Sequence, residues 1–283
     1  MVDLIALYLD DLRMRSLSPN TIQRRRLSLY AADRALPYGL DSATRDELKA
    51  WVYNDRWSIQ TRSSYLTDIK GFFHWACDPE DPHLDYDPAA RLPQPKVPRR
   101  LPRPISDEQL AMILNEVGEP YRTWALLAAY AGLRCCEIAG LRREHITEQW
   151  IEVTGKGNKP GTVPTHPDIW SAVRDLPPGP IAPAWTRQRL TAKLVSQEPK
   201  RAFASIGLVG VTMHRLRHWC GTNVQRQQGN LRVTQEILRH ASPTSTAMYT
   251  AVADPQRTAA VSALPRVSSP RAAGAAAPYG EAA

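Results

Sequence analysis

VTMHRLRHWCGTNVQRQQGNLRVTQEILRHASPTSTAMYT, residues 211–250, is the stretch on which the reading of this chain turns. Its spacing predicts helices over 212–228, 232–239 and 243–251. In M-H-R-L-R-H, His214 and Arg217 are three residues apart and share a helix face, His218 stands one turn beyond His214, and Leu216 points the other way into a core. Leu238-Arg239-His240 closes the second helix. Ser242-Pro243, a cap followed by proline at the first helical position, opens the third, which carries Tyr249. Two histidines at i, i+4 can ligate a metal, but no carboxylate lies between them as in H-E-x-x-H, so Arg217 as a clamp for an anionic oxygen is the preferred reading. A single tyrosine on a short helix is ordinarily a core residue, and its weight depends on its company.

That company lies upstream. Cutting a phosphodiester without a metal requires a nucleophile, cations for the non-bridging oxygens and an acid for the leaving oxygen. AGLRCCEIAGL, residues 131–141, places Arg134 after a glycine turn at the start of a helix, where free backbone N–H groups also favour an anion. The plainer reading of Arg134 is an ion pair with Glu137. QWIEVTGKGNKPGTVP, residues 149–164, reads as two strands and a glycine-rich turn that carries Lys156 and Lys159.

Farther out, residues 1–80 read as an all-helical bundle, with helices over 2–13, 19–35, 44–53 and 58–77. The second of these carries Arg24, Arg25 and Arg26 in succession. Residues 81–104 are dense in proline and include Arg99, Arg100 and Arg103. Proline removes donors and blocks helix, so this is read as an extended connector, either solvated or lying on phosphates. Residues 105–258 form a second, helix-rich α+β domain, with further helices expected over 106–117, 121–130, 135–145, 167–175 and 186–197. Residues 259–283 drift into Ala, Pro, Ser and Gly and read as a flexible tail, either passive or, through its Glu281-Ala282-Ala283 end, a degradation tag.

Bulk properties agree with two cores and an anionic partner. A chain of 283 residues exceeds what one core usually organises. Its net charge of +8 suits a polyanion, and the excess is concentrated: Lys and Arg against Asp and Glu stand at 15 to 14 in residues 1–100 and 21 to 14 in residues 101–283. Cys135 and Cys136 are adjacent, so the four cysteines read as reduced thiols rather than a disulfide framework. The opening MVDLIALYLDDL lacks a basic signal region, and the apolar run TWALLAAYAGL is about half a membrane span. The expectation is a cytoplasmic protein with no membrane partner.

The ordered set of Arg at a glycine turn, Lys in a hairpin, H-x-x-R-H, His before Ser-Pro and finally Tyr resembles the tyrosine recombinases, the phage integrase and Xer-like family. LSPNTIQRRRLSLY, WSIQTRSSYLTDIKGFFHWA and DPAARLPQPKVPRRLP are similar to that family's N-terminal region, and the resemblance spans residues 2–258. It implies a mostly α fold with a small β-sheet: an all-helical, SAM-like core-binding domain followed by an α+β tyrosine-recombinase catalytic domain. It also implies site-specific recombination of double-stranded DNA at attachment or crossover sites through a 3′-phosphotyrosine intermediate and a Holliday junction, with DNA clamped between the two domains. A homotetramer on DNA, an optional accessory directionality protein and no cofactor, metal or ATP go with that activity.

By the same resemblance Arg134 and Arg217 hold the scissile phosphate, His214 assists the nucleophile Tyr249, Lys156 is the general acid with Lys159 as its competitor, and His240 hydrogen-bonds the phosphate. Glu137 and His218 support the site, and Arg24, Arg25, Arg26, Arg99, Arg100, Arg103, Lys159, Arg215 and Arg239 are DNA contacts. There are three departures. Arg239 stands where the family usually has Gly, and could reach phosphate or solvent; the hairpin returns through Pro160-Gly161 where a basic residue is common; and the chain starts at the core-binding helices, without an arm-binding domain. Dimer resolution and mobile-element movement are alternative roles, and a type IB topoisomerase or a non-catalytic DNA-binding protein are the competing classes.

Overall fold

The computed structural model describes residues 3–98, 101–155, 160–181, 190–239, Thr246 and Tyr249. It divides into two units, Met1–Arg100 and Leu101–Ala283. Mostly helical, with one small sheet among the described residues, it has the fold class that the sequence implies.

In the first unit, α1 (Leu4–Met14), α2 (Pro19–Ala35), α3 (Arg45–Val52) and α4 (Ile59–Ala76) each begin at a polar cap. Asp3, Ser18, Thr44 and Ser58 accept from the third residue onward, which satisfies an otherwise orphaned N–H at each start. Tyr8, Leu9 and Leu12 from α1, Leu29 from α2, Leu48 and Val52 from α3, and Leu66, Ile69, Phe72 and Phe73 from α4 fill the core. Asp68 is buried among them. It accepts 2.8 Å from Ser28 Oγ and pairs at 2.8 Å with Arg24, while Arg25 lies 3.7 Å away and donates to the Tyr8 hydroxyl. Burial raises the Asp68 carboxyl above its ordinary value, outweighing the Ser28 hydrogen bond and the two arginines.

The segment expected as an extended connector, 81–104, carries no helix or strand where it is described, but its first half is anchored. Ala89 and Leu92 are buried in the first core, Gln94 donates to the Ser63 carbonyl at 2.9 Å, and Tyr53 donates to the Pro93 carbonyl. Arg99 and Arg100 lie outside the described residues.

The second unit contains α5 (Asp107–Glu116), α6 (Tyr121–Tyr130), α7 (Cys135–Gly140), β1 (Trp150–Thr154), β2 (Pro160–Pro164), α8 (Pro167–Val173), α9 (Ala192–Ser205), α10 (Met213–Gln228) and α11 (Leu231–Ile237). The strands pair antiparallel from Trp150 opposite Pro164 to Thr154 opposite Pro160, and Ile151, Val153 and Val163 face the core. The apolar α6 lies at its centre, packed by α10, α8, α5 and α9.

Three expectations require correction or limitation. The helix expected over 135–145 stops at Gly140, where Leu141 turns extended, and Arg143–His145 form a separate short 3-10 turn. The helix expected over 186–197 is α9, which begins after Thr191 and continues through Pro199 to Ser205. Proline removes one ladder donor, but Val195, Pro199 and Phe203 recur every fourth residue as a buried stripe, so packing offsets the missing bond. The helix expected over 243–251 falls largely outside the described residues; within it, the Tyr249 amide donates to the Thr246 carbonyl at 2.9 Å.

Candidate active site

Two clusters meet at α10. The first is built on a buried carboxylate. Arg134 caps α7 in an extended conformation, and Glu137, three residues on, turns back to it. Glu137 Oε2 accepts from the Arg134 amide at 2.7 Å and from Arg239 Nη2 at 2.6 Å, while Oε1 accepts from Arg134 Nη1 at 2.9 Å. Burial raises the Glu137 carboxyl, but the Arg239 charge, the Arg134 amide and then the Arg134 and Arg217 charges more than reverse this and hold it below the ordinary value. The ion pair that the sequence offers as the plain reading of Arg134 is therefore present. Roughly a third of the Arg134 side chain (35%) nevertheless stays open to solvent.

Arg217, from the second turn of α10, is only 2% exposed. It donates to the carbonyl of Gly132 and, at 2.6 Å, to the carbonyl of Leu238. These two carbonyls take N–H groups from it without cancelling its charge. Burial, and then the Arg134 charge, lower its pKa to about 10, the sign of a covered cation with another beside it.

The second cluster is aromatic. His214 and His218 meet edge to face on α10 with ring centroids 4.3 Å apart, and His218 Nδ1 lies 3.0 Å from the Tyr249 hydroxyl. Tyr249 is 2% exposed, seated on Cys220 and Leu238. Its ring approaches Gly221 so closely that a Cβ there would lie 2.7 Å from Cζ. Gly132 is equally constrained: it has φ +60°, and a Cβ would lie 2.7 Å from Leu238. Burial pushes the Tyr249 phenol up to about 12 against the pull of Arg217, so at neutral pH it holds its proton. Burial, with the His214 and Arg217 charges, lowers His218 to about 4; burial and the Arg217 and Arg134 charges also lower His214. Both rings are thus neutral at pH 7, and a neutral imidazole has one nitrogen free to accept.

Several sequence candidates have other engagements. Arg24 and Arg25 face Asp68, and Arg26 sits 6.0 Å from the Tyr30 ring centre. Arg215 Nε donates to the Arg103 carbonyl at 3.0 Å, joining the residue next to His214 to the beginning of its own unit. Arg239, given two outcomes by the sequence, is turned inward onto Glu137. Lys156, Lys159 and His240 lie outside the described residues. The sequence reading did not single out Gly132 or Gly221 as parts of the Tyr249 seat. A glycine inside α10, where it costs about 1 kcal/mol against alanine, was the available signal for Gly221. Among the described residues no three His, Cys, Asp or Glu side chains gather as a metal site, and no helix is long and apolar enough to cross a membrane.

The model of the phage integrase family matches residues 105–256. Tyrosine recombinase XerC of Corynebacterium glutamicum is 30% identical over 258 residues, covering 84% of this chain and 83% of its own. Among solved structures, a lambda integrase dimer bound to a COC' core site aligns with a TM-score of 0.73 at 20% identity, over 89% of this chain and 77% of that one. A lambda integrase tetramer bound to a Holliday junction aligns with a TM-score of 0.71 at 18% identity, over 85% and 77% respectively. At these identities the two structural matches show a shared fold.

Proposed function

The chain belongs to the phage integrase family of tyrosine recombinases, enzymes that cut and rejoin DNA at specific sites, and on that premise we propose that Tyr249 is the nucleophile that becomes joined to the 3′ phosphate. The observation that carries this reading is the Tyr249 hydroxyl 3.0 Å from a neutral His218, beside the cationic cluster of Arg134 and Arg217. In the step, Tyr249 Oη bonds to phosphorus as the bond to the 5′ oxygen breaks. The phenolic proton passes to the paired imidazoles of His218 and His214, and the departing oxygen takes a proton from Lys156. Arg134, with donors open to solvent, binds a non-bridging oxygen; Arg217 supplies charge from beneath, and His240 adds a hydrogen bond.

The tyrosyl ester conserves the energy of the broken bond, so a second strand's 5′ hydroxyl can displace it with no nucleotide, and neither step calls on a metal. Exchange of two such strands yields a Holliday junction. Four protomers on two duplexes supply the four nucleophiles, and the lambda integrase tetramer of similar fold, solved on a Holliday junction, supports that assembly. Residues 1–80 are assigned to core-site binding, 81–104 to the connector, 105–258 to catalysis and 259–283 to the tail, with Arg26 and Arg103 among the phosphate contacts.

The test uses the duplex that the full chain selects from a randomised pool, nicked beside the crossover so that cleavage is trapped. Wild type is expected to form a covalent adduct, whereas Tyr249→Phe binds the duplex and forms none. An adduct that persists in Tyr249→Phe overturns the assignment, and relaxation of any supercoiled plasmid by a monomer transfers the chain to the topoisomerases.

A further inference from the structure

Arg239 has an unusual backbone and an unusual side-chain position. Its φ is +49°, in the left-handed region that favours glycine, where an ordinary residue is strained by roughly 1–2 kcal/mol. Such a conformation persists when the surroundings hold it. Here Nη1 donates to the Ile237 carbonyl at 3.2 Å, Nη2 donates to Glu137 Oε2 at 2.6 Å, and the side chain is only 15% exposed. Its stem crosses β2 at Gly161, where an added Cβ would lie 3.2 Å from Arg239 Cδ. Arg239 carbonyl oxygen, in turn, lies 3.5 Å from Arg134 Nη2. One residue thus touches the end of α11, the hairpin strand, the buried carboxylate and Arg134.

The charge balance gives this position a consequence. Arg134 and Arg217 against Glu137 leave one net positive charge, and Arg239 makes it two. It does so while occupying Glu137 Oε2, so the carboxylate is shared between Arg134 and Arg239 rather than given to Arg134 alone. An Arg134 less completely neutralised keeps more of its attraction for a phosphate. We propose that Arg239 is a positioning residue for DNA cleavage: through Glu137 and the β2 strand it sets the orientation and free charge of Arg134, without itself touching the phosphate. This rests on the recombinase reading above.

The test measures single-turnover adduct formation on the same nicked duplex, alongside duplex affinity and melting temperature, for Arg239→Gly, Arg239→Ala and Arg239→Lys. Adduct formation by wild type and its loss in Tyr249→Phe establish the underlying reading independently. Arg239→Gly and Arg239→Ala are then expected to slow cleavage on the order of 10- to 100-fold, as small misplacements of a reacting group do, with affinity within about twofold of wild type. Arg239→Lys, which keeps the charge but has a single donor point, should recover part of the rate. Cleavage by Arg239→Gly at the wild-type rate overturns the proposal. So does a loss in which rate, affinity and melting temperature fall together and Lys does no better than Gly, because that pattern marks a purely structural residue or a direct phosphate contact.

Discussion

Among the described residues each unit buries one carboxylate against arginines, and the two arrangements end differently. Asp68 in the first unit and Glu137 in the second both have fully covered side chains, and each draws charged hydrogen bonds from arginine. Around Asp68 the balance favours burial: its pKa is raised, and Arg24 stays almost half exposed (46%), free to be solvated. Around Glu137 the cations win: its pKa is lowered, and Arg217 beside it is buried on carbonyls with its own pKa depressed to about 10. The first is a structural ion pair in which water can share the charge. The second gathers three arginines around one carboxylate and buries Arg217 among them, a surplus of positive charge that suits the proposed anion site.

The largest effect expected from that contrast is on rate. Arg134→Ala should slow adduct formation by about 10²- to 10³-fold, the scale for removing one donor to a developing oxyanion. Asp68→Asn should leave cleavage per bound protein unchanged and lower stability by about 1–3 kcal/mol, the cost of disturbing a buried polar cluster. Denaturant unfolding and single-turnover cleavage on the same samples separate the two, and a cleavage defect in Asp68→Asn at saturating DNA would break the comparison.

A smaller effect, of opposite sign in the two units, should appear with pH. Glu137 has its folded pKa below the ordinary 4.5, so its stabilisation is present above that value and is lost as pH falls through the folded pKa. Asp68 has its folded pKa above the ordinary 3.8, so its contribution is largest at low pH and declines as pH rises through the folded value. Melting temperatures across pH 3 to 6 should therefore show the Glu137→Gln penalty growing with pH and the Asp68→Asn penalty shrinking. Penalties that change with pH in the same direction would mean that the two carboxylates are equivalent after all.

The smallest effect belongs to pairs outside both clusters. Arg232 and Glu236 pair at 2.6 Å, one turn apart on α11, with side chains 73% and 61% exposed. Glu236→Ala should change stability by no more than about 0.5 kcal/mol and leave cleavage untouched.

These contrasts mark where the sequence was readable. Helix starts were legible because Ser18-Pro19, Thr44, Ser58 and Ser106 act within three residues of themselves, and the hairpin was legible from its alternation around a glycine turn. Motif order was enough to nominate Arg134, His214, Arg217 and Tyr249. Long-range pairings left no local trace. Asp68 reads as one more polar residue of an amphipathic helix until Arg24, more than forty residues away, closes on it. Spacing alone does not tell which of His214 and His218 meets the tyrosine, and only the placement of Tyr249 against α10 brings its hydroxyl to His218 Nδ1. The helix expected over 186–197 runs on through Pro199 because the lost hydrogen bond is local, whereas the burial that offsets it comes from packing across the unit.

Gly132 and Gly221 give the molecule a mutational profile that its reactive side chains alone would not. Each leaves room for a neighbour that even a methyl group would displace, Leu238 in one case and the Tyr249 ring in the other. In a saturation library scored for recombination, these two positions should therefore be as intolerant as Tyr249, the proposed nucleophile, although neither has a side chain to contribute. A designer seeking altered site choice has to treat them as fixed points and look for variation elsewhere.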